Sequence, residues 1–142
     1  STNYLPNVFM AVEARQKGMD VPVTFDENGF MGEAAIANLG IVDAQGRLRS
    51  PEIRRILPGT TLLAALELAG ERMPVLQGPI HKEDIATARE MLLFTSATLC
   101  VAVTRFDDKP VGQGEYRGKP GPTALWLKDA LLARMLAQGT PY

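Results

Sequence analysis

Several things are scarce in this 142-residue chain, and each scarcity removes a class of function. Cys100 is the single cysteine, so neither an internal disulfide nor a cysteine-built metal site can form, and a reducing cytoplasm is the compartment that fits. His81 is the single histidine; it has no metal-ligand spacing to another group and is expected to border a helix start. Charge of one sign is never gathered into a run. Lys and Arg number 15 against 16 Asp and Glu, a net charge of -1, which leaves no electrostatic footprint for nucleic acid or an anionic membrane. No apolar stretch is long enough to span a bilayer: the most apolar region, Met91 to Val103, is interrupted by Thr95, Ser96 and Thr98. An initiator methionine and a basic, apolar secretory start are missing as well. What is present is a globular mixture, 46% hydrophobic and 22% charged, of a size that suits one domain with a real core.

Read along its length, the chain alternates strand and helix patterns. Asn3 or Tyr4 as a cap, Pro6 in the first turn and Val8, Phe9 and Val12 on one face predict an opening helix, with Gly18 as its stop. Val21 to Phe25 predicts a strand turning at Asp26-Glu27-Asn28-Gly29 into a hairpin. Leu39 to Asp43 predicts a second strand. Ala44-Gln45-Gly46 turns it into Arg47-Leu48-Arg49, a more exposed strand that Pro51 ends. Leu62 to Ala69 is a strong helix pattern closed by Gly70. A strand near Val75-Leu76, a short helix over Lys82 to Ala88, two apolar strands within Met91 to Thr104 and a helix over Pro122 to Gln138 complete a mixed α/β outline.

Three stretches invite a chemical reading. Gly59-Thr60-Thr61 opens a helix, where free backbone N–H groups, two hydroxyls and the positive dipole end make either a phosphate seat or an ordinary Thr cap. Glu33 lies within Gly32-Glu33-Ala34-Ala35-Ile36-Ala37-Asn38, a small-residue stretch; it either faces a cationic nitrogen of a ligand or is a solvent-exposed strand end. Thr95-Ser96-Ala97-Thr98 is a hydroxyl-rich turn between apolar strands. It either offers backbone N–H groups to a ligand or satisfies its own backbone.

In order and spacing, a set of motifs resembles the class IV (fold-type IV) pyridoxal-phosphate aminotransferases over nearly the whole chain. They are Asn3-Tyr4-Leu5, Glu13-Ala14-Arg15, Asn28-Gly29-Phe30 with Glu33 and Asn38, Leu57-Pro58-Gly59-Thr60-Thr61, Ser96-Ala97, Gly112-Gln113-Gly114 and Gly121-Pro122-Thr123. Asn3 to Asn7 and Phe106 to Pro110 look most like the D-amino-acid branch, while Ala34, Leu62 and Cys100 to Ala102 depart from the usual pattern.

The resemblance implies a mixed sheet or pseudo-barrel with flanking helices, and residues 1–142 as a single cofactor-binding domain. It implies that the Schiff-base lysine directly precedes Ser1, and that an N-terminal domain supplying a phosphate-binding arginine is missing from this chain; Lys17 and Lys82 are not replacements. For the sites it implies Tyr4 at the phenolic oxygen of pyridoxal 5'-phosphate, Glu33 at the pyridine nitrogen and Leu57 against the ring. Thr60, Thr61 and Ser96 fall to the phosphate, and the Ala97 N–H to the substrate carboxylate. The implied reaction is transamination between an amino acid, of D or branched-chain type, and a 2-oxo acid, in a homodimer. Aminodeoxychorismate lyase chemistry, which eliminates pyruvate, and a non-catalytic cofactor-binding fragment are the alternatives.

Overall fold

A computed structural model describes residues 9–12, 20–25, 28–34, 38–51 and 60–138. Within them run β1 (Phe9–Val12), β2 (Asp20–Phe25), β3 (Met31–Ala34), β4 (Asn38–Val42), β5 (Leu48–Ser50), α1 (Thr60–Ala69) and β6 (Val75–Gln77). Then follow α2 (Lys82–Thr87), β7 (Glu90–Thr95), β8 (Leu99–Phe106), β9 (Lys109–Pro110), a 3₁₀ turn (Gly114–Tyr116) and α3 (Pro122–Gln138). The opening helix is corrected where it can be checked: Phe9 to Val12 form a strand, paired with β2 on one side and β8 on the other. An uninterrupted apolar run fits either period, and hydrogen-bonding partners on both edges decide for the strand. Asn3, Tyr4, Pro6, Val8 and Gly18 lie outside the described residues.

The strands form one sheet in the order β3-β2-β1-β8-β7-β4-β5-β6, with β9 against β8; every pair is antiparallel except β5 with β6. The parallel pair requires a crossover, and α1 lies between the two strands in sequence to provide it. Five inter-strand steps separate β3 from β4 along the sheet, about 24 Å if flat. Yet only residues 35–37 join them, and Ala34 to Asn38 spans at most about 14 Å. The sheet therefore curls until β3 and β4 touch, the pseudo-barrel that the motifs implied.

Curling divides the apolar residues into two cores. The inner one holds Val21, Val23 and Phe25 of β2, Leu39 and Ile41 of β4, Met91 and Leu93 of β7, and Val101 and Val103 of β8. The outer one packs the alternate residues Leu92, Phe94, Cys100 and Ala102 against Leu62 and Leu66 of α1 and Leu127 and Leu131 of α3. Because both faces of β7 are covered, its first five residues are all buried, and its sequence reads as a continuous run. Leu48 is also fully buried, so β5 is less exposed than its flanking arginines suggested; it is an inner strand between β4 and β6. On the outer layer Arg72 stacks 4.5 Å from the Trp126 ring centroid, and Arg134 pairs with Glu67 at 2.8 Å.

The helix ends are capped from different sources. His81 is the N-cap of α2, its Nδ1 accepting the Glu83 N–H at 3.1 Å while Asp84 accepts the His81 N–H, which is the border role expected of it. For α3 the cap comes from another element. The buried Glu90 carboxylate of β7 accepts the Thr123 and Ala124 N–H groups, each at 2.9 Å. A Cβ on Gly121 would lie 2.5 Å from Glu90 Cδ, so the close approach requires glycine there.

Candidate functional site

Strand directions bring several of the singled-out residues to one end of the sheet. β4 starts at that end, with Asn38 opposite Phe94, beside the turn that joins β7 to β8. β5 runs antiparallel to β4 and so leaves the sheet there, through Ser50 and Pro51. Since β6 is parallel to β5, α1 has to descend from this same end, which puts Thr60 and Thr61 in the first turn of α1 near the β7–β8 turn carrying Ser96 and Ala97. Leu62, one residue on, shares a core with Phe94 and Leu99 at the two feet of that turn. The β3 backbone leads to the same place: Glu33 precedes the last residue of β3, and residues 35–37 then deliver the chain to Asn38.

Thr61 carries the sharpest feature of this end. It is 3% exposed, and its Oγ1 is a buried polar atom without a hydrogen-bond partner among the described residues. Leaving a buried hydroxyl unpaired costs about 1–3 kcal/mol. It lies in the first turn of α1, where backbone N–H groups have no intrahelical acceptor. That turn contains no acidic residue, whereas α2 has Glu83 and Asp84 and α3 receives Glu90. A hydroxyl donor beside the positive end of a helix fits an oxyanion such as phosphate. Thr60 is exposed at the same helix start.

The β7–β8 turn divides its two readings between its residues. Thr95 Oγ1 lies 2.6 Å from Thr98 Oγ1 and accepts the Thr98 N–H at 2.9 Å, so these two hydroxyls serve the turn itself. Ser96 and Ala97, at the tip, are exposed. Leu99, where β8 begins, has φ 65°, in the left-handed region that a branched side chain rarely adopts.

Ser50 Oγ, at this same end, donates to the Pro51 carbonyl at 3.2 Å, and other polar features lie elsewhere. Asp43, in the tight connection from β4 to β5, is buried. Burial pushes its carboxyl up, but the Arg47 N–H and guanidinium and the Gln45 N–H more than offset this and hold it below its ordinary value. A cleft of about 430 Å³ beside Arg89, Glu90 and Tyr116, and one of about 250 Å³ beside Lys82 and Phe106, open at the opposite end of the sheet. Neither is lined by a residue that the motifs assign to cofactor or substrate.

Tyr4 and Leu57 lie outside the described residues, and of Glu33 the backbone alone is described. Sequence reading missed Glu90, while the Thr95–Thr98 contact matches the turn that satisfies its own backbone. The one signal for Glu90 was an isolated carboxylate at the head of an apolar strand.

Comparison with known proteins converges on a single family. The profile of the family described as amino-transferase class IV matches residues 1–106. A chloroplastic D-amino-acid transaminase of Arabidopsis thaliana is 33% identical over 142 residues, covering 95% of this chain and 37% of that protein. The solved branched-chain amino acid aminotransferase of Escherichia coli superposes with a TM-score of 0.72 at 29% identity, over 84% of this chain and 40% of that one. A second solved branched-chain amino acid aminotransferase, crystallised with pyridoxamine 5'-phosphate, gives a TM-score of 0.72 at 26% identity, over 81% of this chain and 36% of that one. The chain thus spans about two fifths of the length of the relatives it matches.

Proposed function

The chain belongs to the class IV aminotransferase family, and from that premise we propose that residues 1–142 are the single cofactor-binding domain of a longer pyridoxal 5'-phosphate-dependent aminotransferase. The substrates are an amino acid and a 2-oxo acid. A D-amino-acid or branched-chain donor is favoured by the matched transaminases of both kinds. The cofactor, when bound, supplies an electron sink for cleavage of the substrate Cα–H bond.

The observation that carries this reading is the buried, unpartnered Thr61 Oγ1 in the first turn of α1. Thr61, with the backbone of Thr60, binds phosphate; Ser96 adds a donor from the neighbouring turn. The Ala97 N–H orients the substrate carboxylate. Glu33 holds a proton on the pyridine nitrogen by charge, Tyr4 donates to the phenolic oxygen, and Leu57 excludes water from one ring face. The bond to the cofactor falls to a lysine directly before Ser1, and the remaining pocket to an N-terminal domain and a second subunit of a homodimer. A cytoplasmic location belongs to the same reading.

The test is an assay of the longer protein with pyridoxal 5'-phosphate, a panel of L- and D-amino acids and a 2-oxo acid acceptor. Stoichiometric exchange of amino group for keto group supports transamination. Pyruvate released from aminodeoxychorismate in a parallel reaction that contains no acceptor makes the enzyme a lyase, and retention of cofactor without turnover leaves a binding fragment.

A further inference from the structure

We propose that Thr95 and Thr98 are positioning residues that hold the β7–β8 turn in the shape that presents Ser96 and Ala97 to the cofactor phosphate and the substrate carboxylate; this rests on the cofactor reading above. The turn joins two buried strands and ends on Leu99 at φ 65°, so it adopts a conformation the backbone does not favour alone. Two contacts oppose relaxation. Thr95 Oγ1 accepts the Thr98 N–H at 2.9 Å, and the two hydroxyls lie 2.6 Å apart. Thr95 therefore makes both contacts and Thr98 Oγ1 only one.

Both threonines are half-buried at the foot of the turn, while Ser96 and Ala97 are exposed at its tip. The foot is fastened by side chains and the tip is left to a ligand. Because the Thr98 N–H is already used, the donors the turn can offer are narrowed to its tip, which is a preorganised anion-facing arrangement. Neither threonine touches the ligand in this arrangement.

The experiment titrates the longer protein, stripped of cofactor, with pyridoxamine 5'-phosphate, which forms no bond to the lysine, and follows competition by inorganic phosphate at a temperature where circular dichroism shows every variant folded. Thr95→Val, losing both contacts, is expected to raise the Kd about tenfold and Thr98→Val about threefold. Thr95→Ser, which keeps Oγ, should return to the parental value. The inhibition constant of phosphate should move by the same factors, and because every variant is folded at the chosen temperature a smaller folded population is not the cause. Parental affinity in Thr95→Val, no recovery in Thr95→Ser, or unchanged phosphate competition overturns the proposal. If Thr95→Val does not fold, parental affinity in Thr98→Val overturns it instead. A parental protein that binds no pyridoxamine 5'-phosphate sinks the cofactor reading and this proposal with it. A parental protein that binds, with variants unchanged, sinks the positioning role alone.

Discussion

Replacing Thr61 by valine should act with opposite signs on stability and on ligand binding. Valine keeps the branched shape in α1 and removes an Oγ1 that is buried without a partner among the described residues. At the lower end of the 1–3 kcal/mol cost of an unpaired buried polar group, Thr61→Val gains about 1 kcal/mol without ligand. For a domain of this size that raises the melting temperature by about 2–4 °C. With a phosphate in place, the same substitution removes a charge-assisted hydrogen bond of about 1.5–3 kcal/mol and raises the Kd about 10- to 150-fold. At a ligand concentration 100 times the parental Kd, the parent gains about 2.7 kcal/mol. The variant gains only about 0.3–1.4 kcal/mol by the same relation. The order of stability therefore inverts. The variant melts higher alone and lower with pyridoxamine 5'-phosphate, as thermal scans at both conditions would reveal. A variant that melts lower without ligand would mean that the hydroxyl has a structural partner. Equal ligand-induced shifts would mean that the phosphate is seated elsewhere.

Other changes follow from the same geometry. In the longer enzyme, Glu33→Gln should retain cofactor but lose about 10²–10³-fold in kcat, because an amide cannot hold the pyridinium proton by charge; a parental kcat in steady-state assays would remove Glu33 from the mechanism. Glu90→Ala should destabilise the fold by about 2–4 kcal/mol in urea titration, since it strips acceptors from two N–H groups of α3 and leaves a hole; a loss under 1 kcal/mol would show the cap to be dispensable. Asp43 has a lowered carboxyl pKa, so its stabilisation is present in full above its ordinary value of 3.8 and is lost as pH falls through the folded-state value. Asp43→Asn should therefore be less stable than the parent at neutral pH. The gap should close as the solution is acidified, and a constant gap would refute the assignment.

What was legible in the sequence was what local chemistry writes there. Pro122 fixed the start of α3 because proline suits a first helical position, and the turn residues around Gly46 and Gly29 marked two hairpins. Phe9 to Val12 was misread because an apolar run carries no period of its own; its pairing with β8 depends on residues far along the chain. Distance in sequence also hid the Glu90 cap and the parallel pairing of β5 with β6, whereas the Thr95–Thr98 contact is local and fits the self-satisfied turn that its hydroxyls allowed. At the candidate site Thr60, Thr61, Ser96 and Ala97 were singled out by residue type at element ends. Their arrival at one end of the sheet follows from strand direction, which no short motif states.

The seam between β1 and β8 also orders the assembly of the molecule in time. Among the described strands β1 pairs with β2 and β8, and Met10 meets Phe106. In a chain emerging from the ribosome N-terminus first, β1 to β3 are made early, yet their hydrogen-bonded link to the remaining strands waits until β8 has been synthesised. The β7–β8 hairpin closes locally and needs no such wait. The first three strands are thus held with one flank open while residues 35–106 are translated, a period in which a chaperone or a like strand from another chain could compete for that edge.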